Sequence, residues 1–194
     1  MNAPDLVAAL RPVLSVLGDL GVRHFVGGSI ASSAHGIARA SLDVDVVAEL
    51  EAVHVTRFVA ALQDAYYVDA ARVRAAVEHR RSFNLIHLAT MFKVDVFVSR
   101  HRPFDLSAFA RAGTATPGPG LESQSIPMAS AEDVLLAKLE WYRRGGDVSE
   151  RQWADVVGIV RVVSGALDVE YLRRWAVPLG VKDLLERLLG QTDH

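Results

Sequence analysis

The sequence predicts a mixed α/β fold: a small mixed β-sheet flanked by helices over residues 1–120, then a helical region over 121–194 packed on it. Three observations carry this. The segments "LDVDVVAEL", "SFNLIHLA" and "MFKVDVFVS" are rich in β-formers, and two of them alternate apolar and polar residues with the period of a half-buried strand. Between and before them, apolar residues recur at helical spacing. Past the loop that ends at Gly120, only helical patterns follow.

In chain order, residues 5–20 form an amphipathic helix with Leu6, Leu10, Val13, Leu14 and Leu17 on one face. Pro12 is a candidate kink in it. "RHFVGG" is a short strand ending in glycines, and "SIASSAHG" a short helix of small residues closed by Gly36. After the strand "LDVDVVAEL", residues 51–64 are helical with Val55, Phe58, Val59 and Leu62 inward. "YYVD" is a further short strand and 70–80 a further helix. "SFNLIHLA" and "MFKVDVFVS" are almost adjacent, which predicts a hairpin. Residues 113–120, "GTATPGPG", are a loop. Ser130 and Asp133 then open a helix as a capping box with Asp in place of the usual Glu. Helices follow over 131–144, 148–163, 168–176 and 181–190.

Length and composition exclude several classes. The 194 residues suit one domain with a helical appendage, and 51% hydrophobic residues supply a sizeable core. A net charge of -2 lacks the broad basic footprint of a dedicated nucleic-acid binder. The chain has no cysteine, which removes disulfides, thiolate zinc sites and cysteine nucleophiles. Its seven histidines show no one-turn ligand pair on a helix. The first twenty residues are apolar in a helical rhythm broken by Arg11 and Asp19, which fits neither a signal peptide nor a membrane span. A cytoplasmic protein with no membrane partner is expected.

Two acids stand inside a run of valines. In "DVDVV", Asp43, Asp45 and Val47 point to one face of the strand and Val44, Val46 and Ala48 to the other. Neighbouring carboxylates repel unless something positive lies between them, and hard divalent cations take carboxylate oxygens. "FKVDVFVS" repeats the arrangement, with Lys93, Asp95, Phe97 and Ser99 on one face. If the two strands pair side by side, Asp43, Asp45 and Asp95 make a site for one or two Mg²⁺ ions of the kind that serves phosphoryl transfer. The plainer alternative is a solvated polar face, although Asp is a poor strand former.

Gly27 and Gly28 lie between a strand and a helix. Glycine permits close backbone approach, and a helix N-terminus presents free N–H groups to a phosphate. Ser29 adds a hydroxyl donor or caps the helix. Together with acids on the next strand, this pairs a triphosphate cradle with a metal site.

"GGS", then "DVDVV", then a later "VDV", resembles the nucleotidyltransferase superfamily of the DNA polymerase β type over roughly residues 22–100. Gly27 stands where the family pattern has a bulky apolar residue, and the gap between Ser29 and Asp43 is at the long end of the range. The resemblance implies that Gly28 and Ser29 hold nucleotide phosphates, that Asp43 and Asp45 bind Mg²⁺, and that Asp95 is the third acid, acting on the acceptor hydroxyl or on a second metal. The ending Arg39-x-Ser41-x-Asp43-x-Asp45 is most similar to the minimal and abortive-infection-toxin branches. There, Arg39 and Ser41 would be nearby donors. The block "EDVLLAKLEWYRRGGDVSERQWADVVGIV" is similar to the same branch, which implies that Lys138 lies near the nucleotide and that Asp155 belongs to the site. Read from the residues alone, Lys138 is a snorkelling lysine at the edge of an apolar stripe, and Asp155 pairs with Arg151 one turn back.

Trp141, Tyr142 and Trp153 are expected to pack rather than stack on bases. The clusters "HRR" at 79–81 and "RHR" at 100–102 are either phosphate contacts for an RNA acceptor or solvated loop charges. The function expected is Mg²⁺-dependent transfer of a nucleoside monophosphate from an NTP to a hydroxyl of a tRNA, a protein or a small molecule, with a toxin–antitoxin setting and a cognate toxin or antitoxin partner. The alternative is a non-catalytic nucleotide- or partner-binding module, an antitoxin or regulator, on the same fold.

Overall fold

The computed structural model describes residues 3–28, 30–31, 43–115, 125–163 and 165–192. Its strands are β1 (His24–Val26), β2 (Asp43–Ala48), β3 (Tyr66–Tyr67), β4 (Ser82–His87), β5 (Lys93–Val98), β6 (Gly113–Ala115) and β7 (Ile126–Met128). They form one mixed sheet in the order β3-β4-β5-β2-β1-β7-β6. Its helices are α1 (Ala3–Asp19), α2 (Ala52–Leu62), α3 (Ala70–Glu78), α4 (Pro103–Arg111), α5 (Ala131–Arg144), α6 (Glu150–Val163), α7 (Val169–Ala176) and α8 (Lys182–Thr192). Among the described residues, no helix is long and apolar enough to cross a membrane.

Period-two patterning makes the centre of the sheet two-faced. Val44, Val46 and Ala48 of β2 and Val94 and Val96 of β5 are fully buried. They meet α1, which packs across β1, β2 and β5. Phe83 of β4 lies on the same side, where its ring meets Phe58 of α2 edge-on. Five fully buried branched or small side chains on one surface are what hold the strands flat against the helix layer. α1 runs unbroken through Pro12.

Helix starts are chemically marked. Asp69 caps α3 by accepting from the N–H groups of Ala71 and Arg72 at 2.9 and 3.1 Å. Ser130 caps α5 by accepting from Asp133 N–H at 3.2 Å. The expected reciprocal half of that box is altered: the Asp133 carboxylate accepts from the Ser130 hydroxyl at 2.7 Å.

The hairpin of β4 and β5 is antiparallel, with Asn84 opposite Asp95. Strands β2 and β5 are parallel, with Asp45 opposite Asp95 and Asp43 opposite Lys93. The expected loop over 113–120 is corrected at its start. Residues Gly113–Ala115 are strand β6, paired antiparallel to β7, whose Met128 lies beside Val26. A three-residue strand holds too few positions to show a period, and Pro127 further hides β7. The expected helix "SIASSAHG" falls mostly outside the described residues; within them Gly28, Ile30 and Ala31 are helical.

On the second face of the sheet, two ring contacts between described residues tie strands to helices. Phe25 meets Phe109 of α4 with ring centroids 4.9 Å apart, and Phe97 meets Trp141 of α5 at 6.0 Å. Polar ties lock these helices. Arg102 pairs with Glu140 at 2.6 Å, Arg111 with Glu132 at 2.8 Å, and Tyr171 of α7 donates to Asp133 at 2.6 Å. Arg102 is therefore engaged within the fold, which answers the phosphate-contact option for that member of the second basic cluster.

Candidate active site

That second face carries the acids. Asp43, Asp45, Lys93 and Asp95 share it, each partly buried, while the alternate valines are buried behind them. The parallel register sets Asp45 and Asp95 side by side although 50 positions separate them in the chain. The sequence expectation that β5 lies beside β2 and brings the three carboxylates to one surface is therefore met by the strand pairing.

Gly28 closes one flank. Its φ is +55°, a region that L side chains rarely enter. A Cβ built there would stand 1.5 Å from Asp45 Oδ2 and 2.4 Å from its Cγ. The backbone of Gly28 thus lies directly against the Asp45 carboxylate. Gly27 is different: a Cβ there meets nothing nearer than Val47 Cγ2 at 4.0 Å. Its N–H donates to the Asp45 carbonyl at 2.9 Å, and its carbonyl accepts from Ala31 at 3.2 Å, which makes Gly27 the hinge between β1 and the helical turn. Ser29, Arg39 and Ser41 lie outside the described residues.

Lys93 occupies the space between acids. Its Nζ is 2.7 Å from Asp95 Oδ2 and 3.5 Å from Asp43 Oδ2. The hydrogen bond to Asp95 raises the Lys93 pKa above its ordinary value, more than partial burial lowers it. The sequence placed Lys93 on this face but could not assign it a partner, because the reach of a four-carbon side chain depends on the neighbouring strand. The signal available was its i, i+2 position before Asp95.

The donors are of the type that hard divalent cations take. They are carboxylate oxygens on rigid strands, partly open to solvent, and a positive group already lies among them. In the arrangement seen, no group of three acidic or histidine side chains among the described residues converges on one point. The Lys93 ammonium holds Asp43 and Asp95 instead.

Lys138 and Asp155 come together. Lys138 Nζ of α5 donates to Asp155 Oδ2 of α6 at 3.1 Å, with both side chains largely buried. Lys138 lies one turn before Trp141, whose ring rests on Phe97, two residues past Asp95 on the acidic face. The chain enters α5 beside the glycines, since Ala129 N–H donates to the Val26 carbonyl at 2.9 Å. Helix α5 therefore starts next to Gly27 and passes over the face that holds the acids. Tyr142 and Trp153 pack on each other at 5.4 Å.

A second flank opens beyond Asp95. A cavity of about 370 Å³ lies between α3 and β4, lined by Arg72, His79, Arg81, Ser82, Asn84 and Asp95 among others.

No protein-family model and no curated protein sequence matches the chain. Solved structures do. The antibiotic-resistance factor ANT(2'')-Ia matches with a TM-score of 0.60 at 13% identity, covering 98% of this chain and 100% of that one. An antigenic nucleotidyltransferase-like protein from Paracoccidioides brasiliensis matches with a TM-score of 0.56 at 16% identity, over 98% of this chain and 94% of that one. The lincosamide antibiotic adenylyltransferase LnuA, solved with lincomycin bound, matches with a TM-score of 0.50 at 16% identity, over 84% and 98%. ANT(2'')-Ia is also solved with adenylyl-2''-tobramycin. The chain has the nucleotidyltransferase fold.

Proposed function

We propose that the protein is a Mg²⁺-dependent nucleotidyltransferase that moves a nucleoside monophosphate from an NTP to a hydroxyl acceptor. The observation that carries this is the register of β2 and β5, which sets Asp45 beside Asp95 on one face of the sheet, with the Gly28 backbone against Asp45. The fold shared with enzymes that adenylylate antibiotics supports nucleotide transfer as the chemistry.

Asp43, Asp45 and Asp95 would hold the metal, with Lys93 swinging aside. When bound, Mg²⁺ supplies Lewis-acid stabilisation of charge on the phosphate oxygens. The backbone at Gly27 and Gly28, with Ser29, receives the triphosphate. Asp95 takes the proton of the acceptor hydroxyl. That oxygen forms a bond to the α-phosphorus, the bond from the α-phosphorus to the bridging oxygen breaks, and pyrophosphate leaves with the electron pair. Lys138, drawn from Asp155, supports the nucleotide. Arg39 and Ser41 act as further donors near the acids. The spacing of Arg39, Ser41, Asp43 and Asp45 supports a toxin-type setting with a cognate partner.

The test uses purified protein, Mg²⁺ or Mn²⁺, each α-labelled NTP in turn and cell extract as acceptor pool, with Asp45→Asn as control. Label on one class of molecule, absent with Asp45→Asn, is the expected result. Metal-dependent nucleotide binding without transfer in any pool would instead make the protein a nucleotide-binding regulator.

A further inference from the structure

We propose that the groove beyond Asp95 binds the acceptor, and that this acceptor carries a phosphate group next to the hydroxyl it presents. This deepens the transferase reading and rests on it.

The strand order assigns the two flanks of the site. Gly27 and Gly28 follow β1, on the far side of β2 from β5, so the triphosphate side lies toward β1. Asp95 is on β5, and the next strand outward is β4, where Asn84 is its register partner. A hydroxyl approaching Asp95 from the side opposite the triphosphate comes across Asn84. The cavity of about 370 Å³ lies there, with Asp95 in its lining. Its volume suits a sugar phosphate or a single nucleotide unit.

The charge of this groove is one-sided. Arg72, His79 and Arg81 line it, and among the described residues Asp95 is its one lining acid. Arg72 has a loose contact with Asp69 at 3.5 Å and its side chain is 74% exposed, free to turn toward a guest. Ser82 and Asn84 add neutral hydrogen-bonding groups on the exposed side of β4. Two guanidiniums flanking polar side chains match a phosphate, which accepts bidentate bonds, and they repel a polycationic amino sugar. The tobramycin-type acceptor of a structural neighbour is thus a poor fit to this chain's own groove.

The test titrates ¹⁵N-labelled full-length protein with ribose 5-phosphate in EDTA, and with ribose as the phosphate-free control. Saturable shifts at the amides of Ser82 and Asn84 are expected with ribose 5-phosphate and not with ribose. Affinity should fall at least tenfold in Arg72→Gln/Arg81→Gln, whose exposed positions leave the fold intact. Shifts confined to Gly27 and Gly28, an equal response to ribose, or unchanged affinity in the double variant would overturn the proposal. Asp45→Asn separates the two readings: it should abolish label transfer and keep ribose 5-phosphate binding. Intact binding with no transfer in wild type sinks the transferase reading and leaves the groove. In the transfer assay, label on RNA identifies a nucleic-acid source of the phosphate and label on a phosphorylated small molecule identifies a metabolite. Label found only on phosphate-free acceptors refutes the proposal.

Discussion

The Lys93 ammonium bridges two carboxylates, 2.7 Å from Asp95 and 3.5 Å from Asp43, and so neutralises from within the protein the charges that a divalent ion would neutralise from outside. Metal and lysine compete for the same oxygens. Lys93→Met should therefore bind Mn²⁺ several-fold more tightly than wild type, read by isothermal titration. Without metal the variant should lose about 0.5 kcal/mol, since pairs this open to solvent contribute at most about 1 kcal/mol. Its Tm should drop by ~2 °C in EDTA and recover more than wild type when Mg²⁺ is added. Equal Mn²⁺ affinity in the two proteins would remove the competition.

Gly28 and Gly27 should respond differently to the same substitution. Gly28→Ala puts a methyl where Asp45 Oδ2 stands, at a φ of +55°. The backbone conformation alone costs ~1–2 kcal/mol in denaturant unfolding. Transfer should fall at least ~100-fold, the scale on which loss of a placed catalytic group is felt. Gly27→Ala has room and no positive φ, so its stability should stay within about 0.5 kcal/mol of wild type.

Glu132 should make stability pH-dependent. Burial pushes its carboxyl up, but the Asp168 N–H, the Glu132 N–H and the Arg111 guanidinium together outweigh burial and hold it below the ordinary 4.5. A carboxyl depressed in the folded state stabilises fully above its unfolded value, and the contribution is lost as the pH falls through the folded value. Glu132→Gln should cost about 2 kcal/mol at pH 7, the scale of hydrogen bonds to a charged group. The difference from wild type should narrow as the pH drops below 4.5, as measured by urea unfolding. Asp133 beside it works the other way. Burial raises its pKa despite bonds from Tyr171 and Ser130, so its charge costs stability as the pH rises above the ordinary 3.8. Asp133→Asn should flatten that fall.

Lys138 and Asp155 form a pair whose structural and substrate roles a double-mutant cycle can separate. Lys138→Met removes the 3.1 Å ion pair with the largely buried Asp155 and should destabilise the fold. Adding Asp155→Asn should restore much of that stability, with a coupling energy of about 1 kcal/mol or more. If Lys138 also serves the nucleotide, the KM for NTP stays raised in the double variant. A KM that returns to wild type along with stability assigns the lysine to packing alone.

Much of the site could be read from the sequence because strand chemistry has a short period. Two valine runs interrupted by Asp at alternate positions state which residues share a face, and nothing distant can change that. What could not be read depends on partners. The parallel register of β2 and β5 is a tertiary fact, and the seating of Lys93 follows from it. The pairing of Asp155 with Lys138, where Arg151 one turn back was the local candidate, needs two helices brought together. Strands β6 and β7 are three residues each and gain their order from pairing, β7 with β1 and β6 with β7, not from local preference. The groove beyond Asp95 joins basic side chains from α3 and the following turn to neutral polar ones of β4, which the sequence shows only as an arginine-rich stretch.

The 50 positions between Asp45 and Asp95, and the 43 from there to Lys138, set a schedule for the chain as it leaves the ribosome. A nascent chain that has exposed β1 and β2 carries Gly28, Asp43 and Asp45 but no third acid. The hairpin that delivers Asp95 must dock in parallel against a strand made long before, the slow kind of pairing that closes a large loop. Helix α5 arrives later still. The arrangement of the three acids beside Gly28 and α5 is therefore incomplete until most of the polypeptide has been made.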